Sequence, residues 1–242
     1  GVAAFELGDM ETATRSLDAL IELAQAEDDA EMLAPAANNL GAIADLQGRV
    51  EEALSYYRLA LPLYEQADRP HGVAQIHHNL GLSYRELNRI GEAVRCHVKA
   101  VEVAEGVGYR PLVALSLSAR AECELARGDQ GIAAELADRS IQISRACEDP
   151  VSEGDALRVR GVVRCRRGDL EGALADLAAA TELAGRTGNS LLHAESLRDQ
   201  GRCLSQAGRP GEARALLLRA VTGFVELGAV AKADAIAREL DD

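Results

Sequence analysis

The feature that most constrains this chain is a pattern of small residues that returns every forty residues. A second column follows the first by seven residues and holds glycine or asparagine, and a third follows by five more and is always alanine. No insertion or deletion interrupts the six units, so the sequence predicts a repeat protein. The first column is Gly1, Gly41, Gly81, Ala121, Gly161 and Gly201, and the third is Ala13, Ala53, Ala93, Ala133, Ala173 and Ala213.

The columns have a helical explanation. Glycine or asparagine in the second column, as at Gly48 and Asn88, supplies the left-handed backbone that ends a helix. A fourth, mostly alanine column lies seven residues after the third, which is two turns on one helix face. Small residues on that face let two antiparallel helices approach closely. Each unit is therefore predicted to be a hairpin of a helix A before the turn and a helix B after it.

Composition agrees with packed helices. Apolar residues make up 48% of the 242 residues but aromatic residues only 3%, without tryptophan. Such a core consists of Ala, Leu and Val, which suits closely packed helices better than a sheet. The predicted fold class is all-α.

Composition also argues against two classes of partner. The net charge of −13 makes this segment a poor binder of nucleic acid, because a surface for phosphates needs an excess of Lys and Arg. No apolar run approaches the ~20 residues that span a bilayer, so no membrane contact is expected.

The repeat predicts one array over residues 1–242. Its units are a partial unit 1–29, the units 30–69, 70–109, 110–149, 150–189 and 190–228, and a partial unit 229–242. Residues 1–6 are expected to end a helix A, and residues 27–29 to form a connecting loop. Because both ends fall inside a hairpin, we expect a longer array in the native protein, with oligomer formation possible through exposed ends.

The Leu-Gly pairs at 40–41 and 80–81, the glycine turn and the two alanine columns resemble the tetratricopeptide repeat (TPR). The usual TPR period is shorter, and about six residues are expected to be added around the connection from helix B to helix A. This long type is similar to arrays in kinesin light chains and bacterial peptide-sensing regulators. It also resembles the C-terminal arrays of actinobacterial and large LuxR-type transcriptional regulators.

The resemblance implies a right-handed superhelical solenoid of about six hairpins, with helix A on its concave surface. Asn39 and Asn79 match the family position at which an amide grips the backbone of a bound peptide. An amide offers a donor and an acceptor, and a local hydrogen bond of each Asn is the alternative. The candidate ligand- or partner-binding residues on this face are Asn38, Asn39, His78, Asn79, Arg85, Arg158, Arg166, Arg198, Asp199 and Arg202.

In the later units the Leu before the first column becomes Arg120, Arg160 and Gln200. One interpretation is an internal ionic ladder that includes Glu124 and Arg164, since a buried Arg needs a partner. The other is a basic groove for a carboxylate-rich peptide or an anion, formed by these and the candidate arginines. Asp155, Glu195 and Asp199 on the same surface would partly neutralise it.

No catalytic pattern is visible. The five histidines form no HExxH motif, no serine lies in a GxSxG elbow, and the glycines lack a Walker lysine. The five cysteines form no CxxC pair and indicate reduced thiols in a cytoplasmic protein. We therefore expect no enzyme, no cofactor and no metal.

The leading hypothesis is a protein- or peptide-binding scaffold that serves as the sensor or partner-binding region of a larger bacterial regulator. The alternatives are a small-molecule effector domain of such a regulator and a purely structural oligomerisation module.

Overall fold

The computed structural model describes residues 10–26 and 29–241, and it contains helices joined by short turns. The helix expected over residues 1–6, the loop residues 27 and 28 and the terminal Asp242 lie outside this part. In chain order the helices are α1 Met10–Ala26, α2 Ala30–Leu46, α3 Val50–Gln66, α4 Pro70–Glu86, α5 Ile90–Gly106, α6 Arg110–Arg127, α7 Gln130–Ala146, α8 Pro150–Arg166, α9 Leu170–Thr187, α10 Ser190–Gln206, α11 Pro210–Glu226 and α12 Val230–Asp241. The described part is thus all-α, as predicted.

A helix begins every twenty residues throughout the described part, from Met10 to Val230. The connections are only two or three residues long, and α2 and α3 together supply 34 residues of their forty-residue unit. The residues expected to be added around the connection from helix B to helix A are therefore not in the connection itself. The extra length lies in the helices.

Both kinds of connection use a left-handed residue. Gly48 and Asn88 have φ angles of 74° and 57°, as the second column predicts, and midway between them Asp68 has a φ of 49°. After each such residue the backbone N–H bonds back to the last helical turn, as from Arg49 to Ala44 at 2.8 Å. This is the Schellman arrangement, which satisfies helix-end carbonyls.

Four glycines of the first column, at 41, 81, 161 and 201, each form a notch that receives a large side chain from helix B. A Cβ added to Gly41 would lie 2.4 Å from the Tyr57 ring, and one added to Gly161 would lie 2.7 Å from Leu177. The predicted close approach of the two helices is confirmed. In the third column the alanines from Ala53 onward are fully or almost fully buried.

The chain divides into two compact units, residues 1–123 and 124–242, with the boundary inside α6. In the first unit the helices from α1 to α5 pack consecutively against each other, and in the second unit the helices from α7 to α12 do the same. The core of the first unit includes Leu54, Tyr57 and Ile76, and the second unit contains a cluster around Leu197, Leu217 and Phe224. None of the described helices is both long and apolar enough to cross a membrane.

Candidate functional site

Three amide side chains of the first unit form a connected group on adjacent A helices. Asn79 on α4 donates from Nδ2 to Oδ1 of Asn38 on α2 at 3.0 Å. Gln75, one turn earlier on α4, donates from Nε2 to Oδ1 of Asn79 at 3.1 Å. All three are half-buried, so they remain within reach of solvent. We call Asn38, Gln75 and Asn79 the amide group.

Asn39 is also half-buried, and within the described residues its side chain makes no hydrogen bond. The two expected rungs, Asn39 and Asn79, are therefore not joined to each other. Asn79 instead meets Asn38, which lies 41 residues earlier on the neighbouring A helix.

His78 is buried, which corrects its place among the surface candidates. Only 3% of its surface is exposed, and Nδ1 lies 3.1 Å from Oγ of Ser116. Burial lowers the pKa of His78 to about 4. Its ring lies 5.4 Å from that of fully buried His97, whose pKa is also lowered by burial and by the nearby His78 and Arg120. His78 therefore belongs to the core.

Arg85 remains at the surface of the first unit but has acidic neighbours. Its guanidinium donates to Glu122 on α6, and Nη2 lies 3.9 Å from Glu86. The Arg85 side chain keeps 30% of its exposure, so a ligand can still reach it.

In the second unit, the candidates Arg158 and Asp199 are partners of each other. Arg158 on α8 donates from Nη1 to Oδ2 of Asp199 on α10 at 2.9 Å, and both side chains are less than a tenth exposed. Nη2 of Arg158 also lies 3.6 Å from Glu195, and Arg198 donates to Asp199 at 2.8 Å. Arg158 and Asp199 are therefore an internal ion pair, not free binding groups, because a buried charge is stable only when compensated.

The remaining arginines of the expected basic groove are also engaged. Arg202 pairs with Glu239 on α12, and exposed Arg166 donates to the backbone carbonyl of Leu125 at 3.1 Å. Lys232 pairs with Glu195 at 3.0 Å. Because acidic side chains match nearly all of these cations, the second unit presents an alternating charge network in place of a basic groove.

The protonation of Asp155 differs from that of an ordinary surface carboxylate, although the sequence suggested only a charge that neutralises nearby arginines. Burial raises its pKa to about 7, with further contributions from Glu195 and Asp149. At neighbouring Glu195 burial acts in the same direction, but Arg158, Lys232 and Arg198 outweigh it and hold the pKa below its usual range. Two adjacent carboxyl groups thus differ in protonation near neutral pH.

Arg160, one of the arginines that replace the repeat leucine, forms internal ion pairs. Arg160 makes a two-pronged contact with Asp176 on α9, with both N···O distances 2.8 Å, and Nη1 reaches Asp138 at 2.8 Å. Arg164 lies 2.9 Å from the same Asp176. Glu124 pairs with Arg127 at 3.0 Å. Of the two interpretations, the internal one describes Arg160 and Arg164.

Asp176, which pairs with Arg160 only 16 positions away, was missed from the sequence, but a signal does exist for the pairings between A helices. Oppositely charged residues recur 37 or 41 positions apart, as in Arg85 and Glu122, Lys232 and Glu195, and Arg158 and Asp199. These offsets join adjacent A helices. A search for opposite charges 37 or 41 positions apart finds these three pairs.

The described residues contain no group of three or more His, Cys, Asp or Glu side chains placed to hold a metal ion. The five cysteines all lie in the described residues, and none of them forms a disulfide bond.

A family model for the tetratricopeptide repeat matches residues 1–66, 72–146 and 153–224. The chain belongs to the tetratricopeptide repeat family. No curated protein sequence matches it significantly.

Solved structures share this fold at low sequence identity. NprR in complex with its cognate peptide NprX has a TM-score of 0.78 at 14% identity, covering 98% of this chain and 68% of NprR. A signal-transduction ATPase with numerous domains and a TPR sensor, from Pyrococcus horikoshii, has a TM-score of 0.64 at 19% identity, covering 96% of this chain and 38% of that protein. BtubC from P. vanneervenii has a TM-score of 0.68 at 17% identity, covering 90% of this chain and 91% of BtubC.

Proposed function

We propose that this chain is a non-catalytic, peptide- or protein-binding TPR scaffold that serves as the sensor or partner-binding region of a larger bacterial regulator in the cytoplasm. The observation that carries the proposal is the amide group on adjacent A helices. The similarity to NprR, which holds a peptide, and to the TPR sensor of a signalling ATPase supports it.

The amide group retains hydrogen-bonding capacity for a ligand. An amide side chain has two N–H donors and an oxygen with two lone pairs. Asn79 uses one donor toward Asn38 and one lone pair for Gln75, which leaves one donor and one lone pair. That pair of functions matches the N–H and C=O of an extended peptide, whatever its side chains. The internal bonds also hold the amide in place before a ligand arrives, which reduces the entropy lost on binding.

The test uses the purified chain and a displayed library of random twelve-residue peptides, with affinities of selected peptides measured by fluorescence polarisation. We expect selected peptides to lose about tenfold or more in affinity when Asn38→Ala and Asn79→Ala are combined. Gln142→Ala, which removes an exposed amide from helix α7, is the matched control and should bind normally. Undiminished binding by the double variant would contradict the proposal.

Small-molecule sensing is a second candidate, and one observation favours it. The first unit contains a cavity of about 700 Å³, within the range of small-ligand pockets. A thermal-shift screen of metabolites checks this candidate, because a ligand that binds the folded state raises the unfolding midpoint by mass action.

A further inference from the structure

The cavity in the first unit lies where the first turns of α2 and α4 meet the last turn of α3. Its lining includes Ala34 and Pro35 from α2, Tyr64 and Ala67 from the end of α3, and His71 from α4. Most of this lining is apolar. An apolar side chain that enters the cavity therefore leaves water and contacts apolar groups, which is favourable.

Tyr64 takes an unusual position beside this cavity because of Gly72. A Cβ added to Gly72 would lie 2.4 Å from the Tyr64 ring, so the ring occupies the space that a side chain at residue 72 would fill. Forty residues later the equivalent pair is Ala104 and Leu112, in which the large residue stands on helix A. With the large residue on helix B and glycine on helix A, the Tyr64 ring lines one side of the cavity. Within the described residues the Tyr64 hydroxyl makes no hydrogen bond, and it is available to a ligand.

The cavity continues the amide group along the same helix faces. Pro35 precedes Asn38 by three residues, and His71 precedes Gln75 by four. Residues at these spacings are neighbours on a helix surface. A peptide that contacts Asn38 and Asn79 and extends toward the first turns of α2 and α4 would reach the mouth of the cavity.

The charges at the mouth favour a cation. Arg69 pairs with Glu31 across the mouth at 3.0 Å, so these two charges compensate each other. Asp68, also part of the lining, is exposed, and its carboxylate forms no ion pair or hydrogen bond with the described residues. In the sequence as a whole, residues 1–60 hold 3 basic and 12 acidic side chains, a net charge of −9 that attracts cations at longer range.

From this geometry we propose that the cavity is a specificity pocket for an apolar side chain of a bound peptide, and that Asp68 selects a basic residue next to it. This inference rests on the proposed function, because the amide group delivers the peptide to the pocket. It defines the ligand class as a peptide with an apolar–basic pair.

The first test titrates the ¹⁵N-labelled chain with two probes, N-acetyl-Leu-Lys-amide and N-acetyl-Leu-Glu-amide, and follows backbone amide shifts by NMR. We expect both to shift Tyr64, His71 and Gly72, with the Lys probe binding about two- to fivefold more tightly at low salt. Equal affinities would overturn the charge selection and favour a neutral small molecule. The absence of shifts at these residues would overturn the pocket.

Two variants separate the parts of the proposal. Ala67→Trp fills the cavity from the end of α3 and should weaken the Lys probe about tenfold. Val107→Trp, at the equivalent helix end forty residues later, is the control and should bind normally. Asp68→Asn keeps a residue that tolerates a left-handed φ and should abolish the preference for Lys over Glu. Unchanged affinity in the first variant, or an unchanged preference in the second, would contradict the inference.

Peptides selected from the library distinguish this inference from the proposed function. Selected peptides that need Asn38 and Asn79 but tolerate Ala67→Trp would leave the scaffold function intact and overturn the pocket. Selected peptides that lose affinity in both the amide and the pocket variants support both.

Discussion

At the scale of single residues, His97 is the most unusual core side chain of the first unit. It is fully buried above Gly81, and neither ring nitrogen has a hydrogen-bond partner. The equivalent residues in the second unit include Leu177 and Leu217, which fill their notches without burying polar atoms. The histidine therefore carries a desolvation penalty that leucine does not.

We predict that His97→Leu stabilises the protein by about 1–3 kcal/mol at pH 7, and by more at pH 5. Its pKa in the folded state lies below that of the unfolded chain, so the unfolded state binds more protons as pH falls, and acid weakens the native fold. Urea unfolding at the two pH values measures the effect. His193→Gln serves as the control, and equal midpoints for His97→Leu and the parent chain would refute the prediction.

Asp155 has the opposite pH dependence. Its folded pKa is raised from 3.8 to about 7, chiefly by burial, so the folded state binds the extra proton. The contribution of Asp155 to stability is therefore present below pH 3.8 and is lost as pH rises toward 7. Asp155→Asn should stabilise the protein at pH 8 by about 2–4 kcal/mol and change little at pH 4. The same substitution at exposed Asp234 is the control for urea unfolding.

At the scale of helices, the notch at Gly161 decides how closely α8 and α9 approach. Gly161→Ala would place its Cβ 2.7 Å from Leu177 and 3.2 Å from the Ala173 carbonyl. We predict a loss of about 1–3 kcal/mol, because a packed pair of helices must move apart. Gly185→Ala, on an exposed face of α9 with nothing within 4 Å, should instead stabilise by about 0.5–1 kcal/mol. Chemical denaturation compares the two; an equal response would show that helix propensity alone matters.

The ion pair between α8 and α9 gives a second prediction at this scale. Asp176→Leu leaves Arg160 and Arg164 without their shared partner and should cost about 2–4 kcal/mol. The first unit has Leu40 and Leu80 at the repeat position of Arg160. Combining Asp176→Leu with Arg160→Leu therefore restores an apolar residue at that position. The double variant should recover most of the loss. A double variant less stable than Asp176→Leu would mean that Arg160 contributes through other contacts.

At the scale of the whole chain, the two compact units should differ in their response to acid. His78 and His97 weaken the first unit as pH falls below 6.5, whereas protonation of Asp155 favours the second. All five tyrosines lie within residues 1–123, and the chain has no tryptophan. Tyrosine fluorescence therefore follows the first unit alone, while circular dichroism follows both.

We predict that thermal unfolding at pH 5 shows the tyrosine transition below the midpoint seen by circular dichroism. At pH 8 the order should reverse or the two midpoints should coincide. Replacing His97 with Leu should bring the pH 5 transitions together. An unchanged order from pH 5 to pH 8 would contradict opposite pH dependence in the two units.

The sequence predicted the helix hairpins and the turns within them, because turn glycines and buried alanines stand at fixed positions in each unit. It predicted less well which polar side chains are exposed and which are buried or paired with another residue. A periodic column shows which face of a helix a residue occupies, but the partner comes from the next A helix, 37 to 41 residues away. His78 and Arg158 therefore looked like surface groups until the residues opposite them, Ser116 and Asp199, were placed. The position of the Tyr64 ring beside the cavity depends on Gly72. The repeat pattern does not predict this glycine, because Leu112 stands at the equivalent position forty residues later.

The twenty-residue spacing of the helices has a consequence for how such a chain changes in evolution. A gene segment of forty codons that begins at any connection encodes a whole hairpin with its own turn and notch. Loss of residues 70–109 would join Arg69 to Arg110, and the next helix would begin in register with the one before it. The length of the protein can therefore change in whole hairpins, whereas a change of one or two codons inside a helix would misalign the notch from the side chain that fills it.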